Sequence, residues 1–405
     1  MRQYYWTINL FADQSFSEPL SLRKLSNNSD VLVVGAGIAG VMTALSVLRR
    51  GHAVTLIDRW EPGHPRASST DYTRVMRSVH GRDRLYTQWV REARLRWMEL
   101  QQQVNQTLLV ECGALVIATQ GHSQWEDSTF STFDDLGVPY FKFDPSELAT
   151  RFPQFDFKNV KYGIYEPESG LLMAHRAVVE SARLFEREGG RIVRGRVYTD
   201  DGERLYLDGE PLAADLIIAA AGPWLGNLYR RTVGPILKVV RQNIIYTSCP
   251  DANRMFEHHH MPCWIDHGHE AYGTPSIDGY GIKAAIAWTE AIIDLDNDER
   301  VVDEATFNRT RLYIQNRLPA LVGQKAVDQK ACQIAMTPDT HFIVDFHPRF
   351  DNVLIVGGCS GHLFKHGPVL GDFAAGVGLR EFGTARRFKL GSRSKLQDSQ
   401  SPSGR

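Results

Sequence analysis

The stretch "DVLVVGAGIAGVMTALSVLRRGHAVTLID", residues 30–58, limits the fold of this chain more than any other. Val31 to Val34 are apolar and β-branched almost throughout, the pattern of a parallel strand buried on both faces. Gly35, Gly37 and Gly40 follow with the spacing G-x-G-x-x-G. Such glycines allow a tight turn, close approach of backbone to a pyrophosphate, and close packing of helix on strand. A helix is expected from about Ile38 to Arg50, stopped by Gly51 at its C′ position. A second strand, "AVTLI", then ends at Asp58, whose carboxylate can accept from ribose hydroxyls. The glycines alone carry little weight; with strand, helix, second strand and acid in register they indicate a dinucleotide. They do not separate NAD from FAD, because both present an ADP moiety.

The 405 residues suffice for two domains with a sizeable core. Apolar residues make up 43% and charged residues 23%, as in ordinary globular proteins. A formal net charge of −1 gives no global attraction to nucleic acid or to an anionic membrane. No apolar run approaches a membrane span. Five scattered cysteines argue against a disulfide framework and for a reducing compartment. Residues 1–29 lack the apolar core of a secretory signal and read as an accessory extension. The Ser-rich, polar end of the chain, "GSRSKLQDSQSPSGR", reads as disordered.

Beyond Asp58, "SSTDYTRVMRSVHG" places Arg74 and Arg77 three residues apart, on one side of a helical or tight-turn backbone. Two such arginines can equally be a solvated face. "KYGIYEPESGLLMAHRAVVESARLFEREGGRIVRGRV" predicts a hairpin, an amphipathic helix from about His175 to Glu188, and a strand that carries Val197. "LAADLIIAAAGPWLGNLY" predicts a buried strand running to Gly222, and "NVLIVGGCSGHLFKHGPVLGDFAAGVG" repeats the strand, glycine-turn, helix order. The sheet is therefore assembled from distant segments. Cys332, alone ahead of a Thr-Pro turn in "KACQIAMTPDTHF", reads locally as a buried small hydrophobe.

Taken in order, "GAGIAG", "TRVMR", "YEPESGLL", "AAAGPW", "YGTPSIDGYGIK", "CQIAMTPDTHFIVDFHP" and "SGHLFK" resemble the D-amino-acid-oxidase superfamily of FAD enzymes, and within it the monomeric sarcosine oxidase and N-methyltryptophan oxidase branch. The resemblance covers about residues 30 to 385. It implies an α/β fold: a Rossmann-like FAD-binding domain from discontinuous segments (30–90, 155–230 and 330–385) and an antiparallel-sheet substrate domain (91–154 and 231–329); the tail over 386–405 lies outside the resemblance and is expected from its composition to be disordered. It places Cys332 at the position joined by a thioether to the flavin. Gly35, Gly37, Gly40, Asp58, Ser69, Thr73, Arg74, Val197, Gly222, Gly361 and Lys365 are expected to contact that FAD.

The implied reaction is oxidation of a C–N bond by hydride transfer, with O2 as acceptor and hydrogen peroxide as product. Arg77 and Lys365 fall on the family's two carboxylate-binding positions, and a planar guanidinium fork suits a carboxylate. Lys283 falls on its oxygen-activating lysine; its other reading is a strand-end lysine reaching solvent. A helix starting near "SGHLFKHG" would direct its N-terminus at the reducible ring, with His362 and Lys365 in that turn. Tyr272 matches a substrate-side aromatic, or belongs to the core. Three departures bear on the substrate. Ala287 stands where sarcosine oxidases carry a His, Ile334 where they carry a Tyr, and Leu363 replaces a glycine. The expected partner is thus a small amine that keeps its carboxylate but has a larger, more apolar or cyclic body than sarcosine.

"FEHHHMPCWIDHGHE" gathers His258, His259, His260, Cys263, Asp266, His267 and His269 without the spacing of a known zinc site. No metal is expected there, and a histidine of this stretch touching substrate is the better reading. The rival functions are an oxidase that aromatises a cyclic imino acid, an oxidase of sugar-modified amino acids and, in another class, an NAD(P)-dependent dehydrogenase. A cytoplasmic monomer without nucleic-acid or membrane partners completes the expectation.

Overall fold

The architecture follows from two sheets that exchange strands late in the chain. A computed structural model describes residues 30–250, 254–286, 289–292 and 294–393. The extension over residues 1–29, Ala287 and residues 394–405 lie outside the described residues.

The first sheet has six strands in the order Ile343–His347, Phe350–Gly357, Leu216–Ala219, Asp30–Val34, Ala53–Asp58, Arg191–Arg194. All neighbours pair in parallel except the hairpin at the Ile343 edge. Val33, Leu56, Ile218, Leu354 and Val356 are fully buried, as strands covered on both faces must be. The helix Ile38–Leu48 packs against Gly367–Gly378. A Cβ at Gly371 would meet Met42 backbone carbon at 2.5 Å, so glycine sets the approach. The amphipathic helix Arg84–Val104 inserts Trp89 and Trp97 into the same core.

The second sheet has nine strands, with Lys238–Thr247 and Ala326–Met336 paired over their full lengths. It is antiparallel except where Cys263–Asp266 runs parallel to Ala114–Thr119. No described helix is long and apolar enough to cross a membrane.

Segment boundaries depart from those expected from the sequence in four places. Val160–Glu166 and Gly170–Met173 do not pair with each other as a hairpin. The first joins the nine-stranded sheet and the second joins a three-stranded one with Thr73–Met76 and Leu109–Val110. Buried Glu166 fixes the crossing: its carboxylate accepts from the Ser78 and Val79 amides and from the Ser169 hydroxyl. The helix Arg84–Val104 belongs with the first sheet's core, although its residues past 90 are expected in the substrate domain. Residues 330–336 belong to the second sheet, because their backbone partners are on Lys238–Thr247. The tail is ordered as far as Arg393: Phe388 is fully buried among Tyr86, Trp89 and Phe373, and Arg393 pairs with Asp339.

Candidate active site

One cavity of ≈ 2380 Å³ runs between the two sheets, from the first glycine turn to Lys365. Drug-sized ligands occupy roughly 300–1,000 Å³, so this volume suits a dinucleotide together with a second small molecule. Gly35, Gly37, Asp58, Ser69, Arg74, Arg77, Val197, Gly222, Tyr272, Cys332, Gly361, His362 and Lys365 line it. Gly40, Thr73 and Lys283 are absent from its wall.

At the dinucleotide end the backbone leaves no alternative to glycine. Gly35 has φ +111°, and a Cβ there would lie 2.4 Å from the Ala220 carbonyl oxygen. A Cβ on Gly40 would lie 1.7 Å from the Gly35 carbonyl oxygen, so Gly40 acts by packing helix on turn rather than by contact with a ligand. The helix Ile38–Leu48 has no side-chain cap from Gly37, and its first turn lines the cavity. Such a terminus binds phosphate through its N–H groups and its dipole. Ser69 Oγ accepts from the Ile38 amide at 3.0 Å and ties the following loop to it. Asp58 accepts from the Ala36 amide at 2.6 Å and the Trp60 amide at 2.9 Å, with its carboxylate on the cavity wall. Burial pushes its pKa up, and those two hydrogen bonds oppose the rise. These residues fit an ADP-containing cofactor.

At the other end, two cations share the wall. Lys365 is 4% exposed, and its Nζ has a single partner among the described residues, the His362 carbonyl oxygen at 3.3 Å. Arg77 Nη1 donates to the Val79 carbonyl, and the guanidinium lies 5.3 Å over the Trp125 indole. Neither makes an ion pair among the described residues. Burial drives the Lys365 pKa well below the ordinary lysine value, nearby Arg77 lowers it further, and Glu166 opposes them weakly. Arg77 is lowered too, by burial against the attraction of Glu166 and Glu126.

Around them stand His80, His362 and His366, whose ring nitrogens approach within 4.8 Å of one another. His362 Nε2 bonds the Thr340 carbonyl at 3.0 Å, whereas its Nδ1, His80 Nε2 and both nitrogens of His366 are buried without partners among the described residues. Burial, with Lys365 and Arg77 beside them, holds all three imidazoles well below the usual pKa. Two adjacent cations make this trio a poor seat for a metal ion and a good one for an anion. The residues from His258 to His269 diverge instead. Asp266 forms a buried pair with Arg317 at 2.7 Å, and His267 pairs with Glu126.

Lys283 neither reaches solvent nor stands unpaired. It is fully buried, and its Nζ donates to Asp71 Oδ2 at 2.6 Å and to the Thr73 carbonyl at 2.7 Å. Arg74 and Tyr246 also bond Asp71. Burial would raise the Asp71 pKa, but Lys283 and Arg74 overcome this and hold the carboxylate well below its usual range. Thr73 turns its hydroxyl to Thr274 at 3.0 Å and offers Lys283 its carbonyl. Tyr272, on the cavity wall, has its ring 5.7 Å from Lys283 Nζ. Cys332 is buried, its Sγ 3.9 Å from the Thr70 carbonyl oxygen; burial raises its pKa and Arg74 draws it back. Nothing in the sequence singles out Asp71 or Glu126. Each lies in a polar run, and Lys283 and His267, which they bond, lie 212 and 141 residues away.

A Rossmann-like sheet, a glycine turn at a helix N-terminus and a long cavity ending at two cations define a dinucleotide-dependent oxidoreductase. The chain belongs to the family of FAD-dependent oxidoreductases (DAO), whose model matches residues 30–376. It is 26% identical over 364 residues to a monomeric sarcosine oxidase of Bacillus sp. (strain NS-129), covering 87% of this chain and 93% of that one. It is 24% identical over 362 residues to the N-methyl-L-tryptophan oxidase of Salmonella arizonae, covering 87% and 95%. The L-proline dehydrogenase from P. horikoshii shares the fold, with a TM-score of 0.78 at 17% identity over 90% of this chain and 98% of that chain. FAD is therefore the cofactor, and the NAD(P)-dependent alternative falls.

Proposed function

We propose that this protein oxidises a secondary or cyclic amine that carries a carboxylate, with O2 as acceptor and hydrogen peroxide as product. The observation that carries the reading is the pair of cations on one cavity wall, buried Lys365 and half-buried Arg77, without an acid bonded to either among the described residues. A desolvated, unpaired cation such as Lys365 costs stability, and a substrate carboxylate would satisfy it and the neighbouring Arg77 together. The relatives' names, sarcosine oxidase and N-methyl-L-tryptophan oxidase, support the same class. FAD, held through Cys332 by a thioether, supplies the hydride acceptor.

Each remaining role falls to a residue of this chain. Arg77 offers the carboxylate two parallel donors, and Lys365 a third. Ile244, Ile265, Ile334 and Met336 line the same cavity and favour an apolar or ring-bearing body over sarcosine itself. Tyr272 closes one side, and neutral His362 offers its unpartnered Nδ1. Lys283 supplies positive charge for oxygen reduction from behind the wall, as part of the Asp71–Arg74 network, which carries one net positive charge. The protein acts as a cytoplasmic monomer. A panel of secondary and cyclic amino acids, each beside its analogue without a carboxylate, tests this by peroxide release and anaerobic loss of flavin absorbance. Acid precipitation tests the linkage: wild type keeps its flavin in the pellet, and Cys332→Ser releases it. Carboxylate-free amines reacting as fast as the acids would overturn the assignment.

A further inference from the structure

Glu126 is 1% exposed, and among the described residues the one hydrogen bond its carboxylate makes to another side chain joins Oε1 to His267 Nδ1 at 2.8 Å. A buried carboxylate with so little compensation needs a reason. The two residues come from separate places, the short helix Gln124–Asp127 and the turn His267–His269, yet both line the cavity. The His267 ring packs edge-on to Trp125, with centroids 4.5 Å apart, and Arg77 lies over that same indole. One aromatic ring thus sets the dyad and the carboxylate clamp in fixed relation. Because an ionised carboxylate only accepts, Nδ1 is the donor in this pair, and in the neutral ring Nε2 is then the acceptor, with no hydrogen-bond partner among the described residues. On the far side of the turn, Asp266, His269 and Arg317 form a separate network that does not reach this nitrogen.

We propose that His267, oriented by Glu126, takes the proton from the substrate ammonium before the C–H bond breaks. This rests on the amine-oxidase reading above. A protonated amine cannot supply the lone pair that becomes the C=N bond, and hydride loss from it would create a second positive charge on adjacent atoms. Transfer of one proton from the ammonium nitrogen to Nε2 leaves a neutral amine and an imidazolium. The lone pair then forms the C=N bond as the hydride, with its two electrons, leaves for the oxidised cofactor. The transfer moves one positive charge from the substrate nitrogen to His267, where the Glu126 carboxylate stabilises it, and leaves the net charge beside Arg77 and Lys365 unchanged. The arrangement is that of a histidine base held by a carboxylate.

The experiment compares two substrates in anaerobic stopped-flow reduction of the flavin at pH 7. One is a secondary amino acid that the wild type oxidises; the other is its N-trifluoroethyl counterpart, whose amine is already neutral. His267→Gln should slow reduction by the first about 10²- to 10⁴-fold, the usual range for a positioned base, and by the second only a few-fold. Glu126→Gln should show the same selectivity to a smaller degree. Binding of an alkoxyacetate, which engages the clamp but has no N–H, should keep its Kd in His267→Gln, read from the flavin spectrum. Equal slowing of both amines, no slowing of either, or loss of alkoxyacetate binding would each overturn the proposal. If the wild type is reduced by no carboxylate-bearing amine, the proposed function itself fails, which is a separate and recognisable result.

Discussion

Replacing Lys365 with Met should move affinity and stability in opposite directions, a signature that a buried lysine of purely structural use would not give. The side chain is 4% exposed, with one weak hydrogen bond to the His362 carbonyl oxygen. Losing it removes one charge-assisted bond to the substrate carboxylate, worth about 1.5–3 kcal/mol. At about 1.36 kcal/mol per decade this weakens binding about 10- to 150-fold. The same change relieves the substrate-free protein of an unpaired buried cation, so its unfolding free energy should rise by on the order of 1 kcal/mol or more. The Lys365 pKa is depressed by burial, and then by Arg77. Carboxylate binding is therefore strongest below that depressed value and falls as pH rises through it, well short of the ordinary lysine range. In the same window the unfolded state binds the extra proton, so ligand-free stability rises with pH as affinity falls. Alkoxyacetate titrations and urea unfolding from pH 6 to 10, on wild type and Lys365→Met, measure both. A variant that is less stable than wild type and binds the acid equally well would refute the reasoning.

Three further outcomes follow from the geometry. Gly40→Ala should abolish cofactor loading, because its Cβ would fall 1.7 Å from the Gly35 carbonyl oxygen; flavin absorbance per protein measures this, and normal loading would contradict the close approach. Lys283→Met leaves Asp71 bonded to Arg74 and Tyr246, so the protein should fold. Reaction of its reduced form with O2 should slow by orders of magnitude and anaerobic reduction change modestly, whereas equal loss in both would mean a structural role. His366 is buried with no partner on either nitrogen among the described residues, and burial, then Lys365, hold its pKa well below the usual value. Below about pH 6.5 the unfolded chain takes up a proton that the folded one refuses, and this residue should remove up to about 1.4 kcal/mol of stability per pH unit. Urea midpoints at pH 7 and 5 should therefore differ less in His366→Leu than in wild type.

What can be read from the sequence is what depends on neighbours in the chain. The first β-strand, glycine turn, helix and second strand form one local unit, and the helix predicted over 38–50 is observed at Ile38–Leu48. The helix predicted over 175–188 is observed at Ala174–Arg187. The apparent hairpin around "YEPESGLL" misleads because strand propensity does not say which sheet a strand joins. The bonds that part its two arms come from Ser78 and Val79, 88 and 87 residues from Glu166. Polarity misleads at the C-terminus for a related reason. Phe388 and Arg393 are single residues in a polar run, yet one fills the first core and the other meets Asp339.

The same limit hides how differently Lys283 and Lys365 are placed. In three dimensions they are opposites. Lys283 has its charge matched by Asp71 at 2.6 Å and has no place on the cavity wall. Two of the three protons of its ammonium are already donated, to Asp71 and to the Thr73 carbonyl. It has little left for a substrate and can act only through the field it shares with Arg74. Lys365 has donors to spare and no counter-ion bonded to it among the described residues, and it stands on the wall with Arg77. A carboxylate entering the cavity therefore gains most at Lys365 and Arg77. This division of labour follows from where one aspartate, Asp71, is buried.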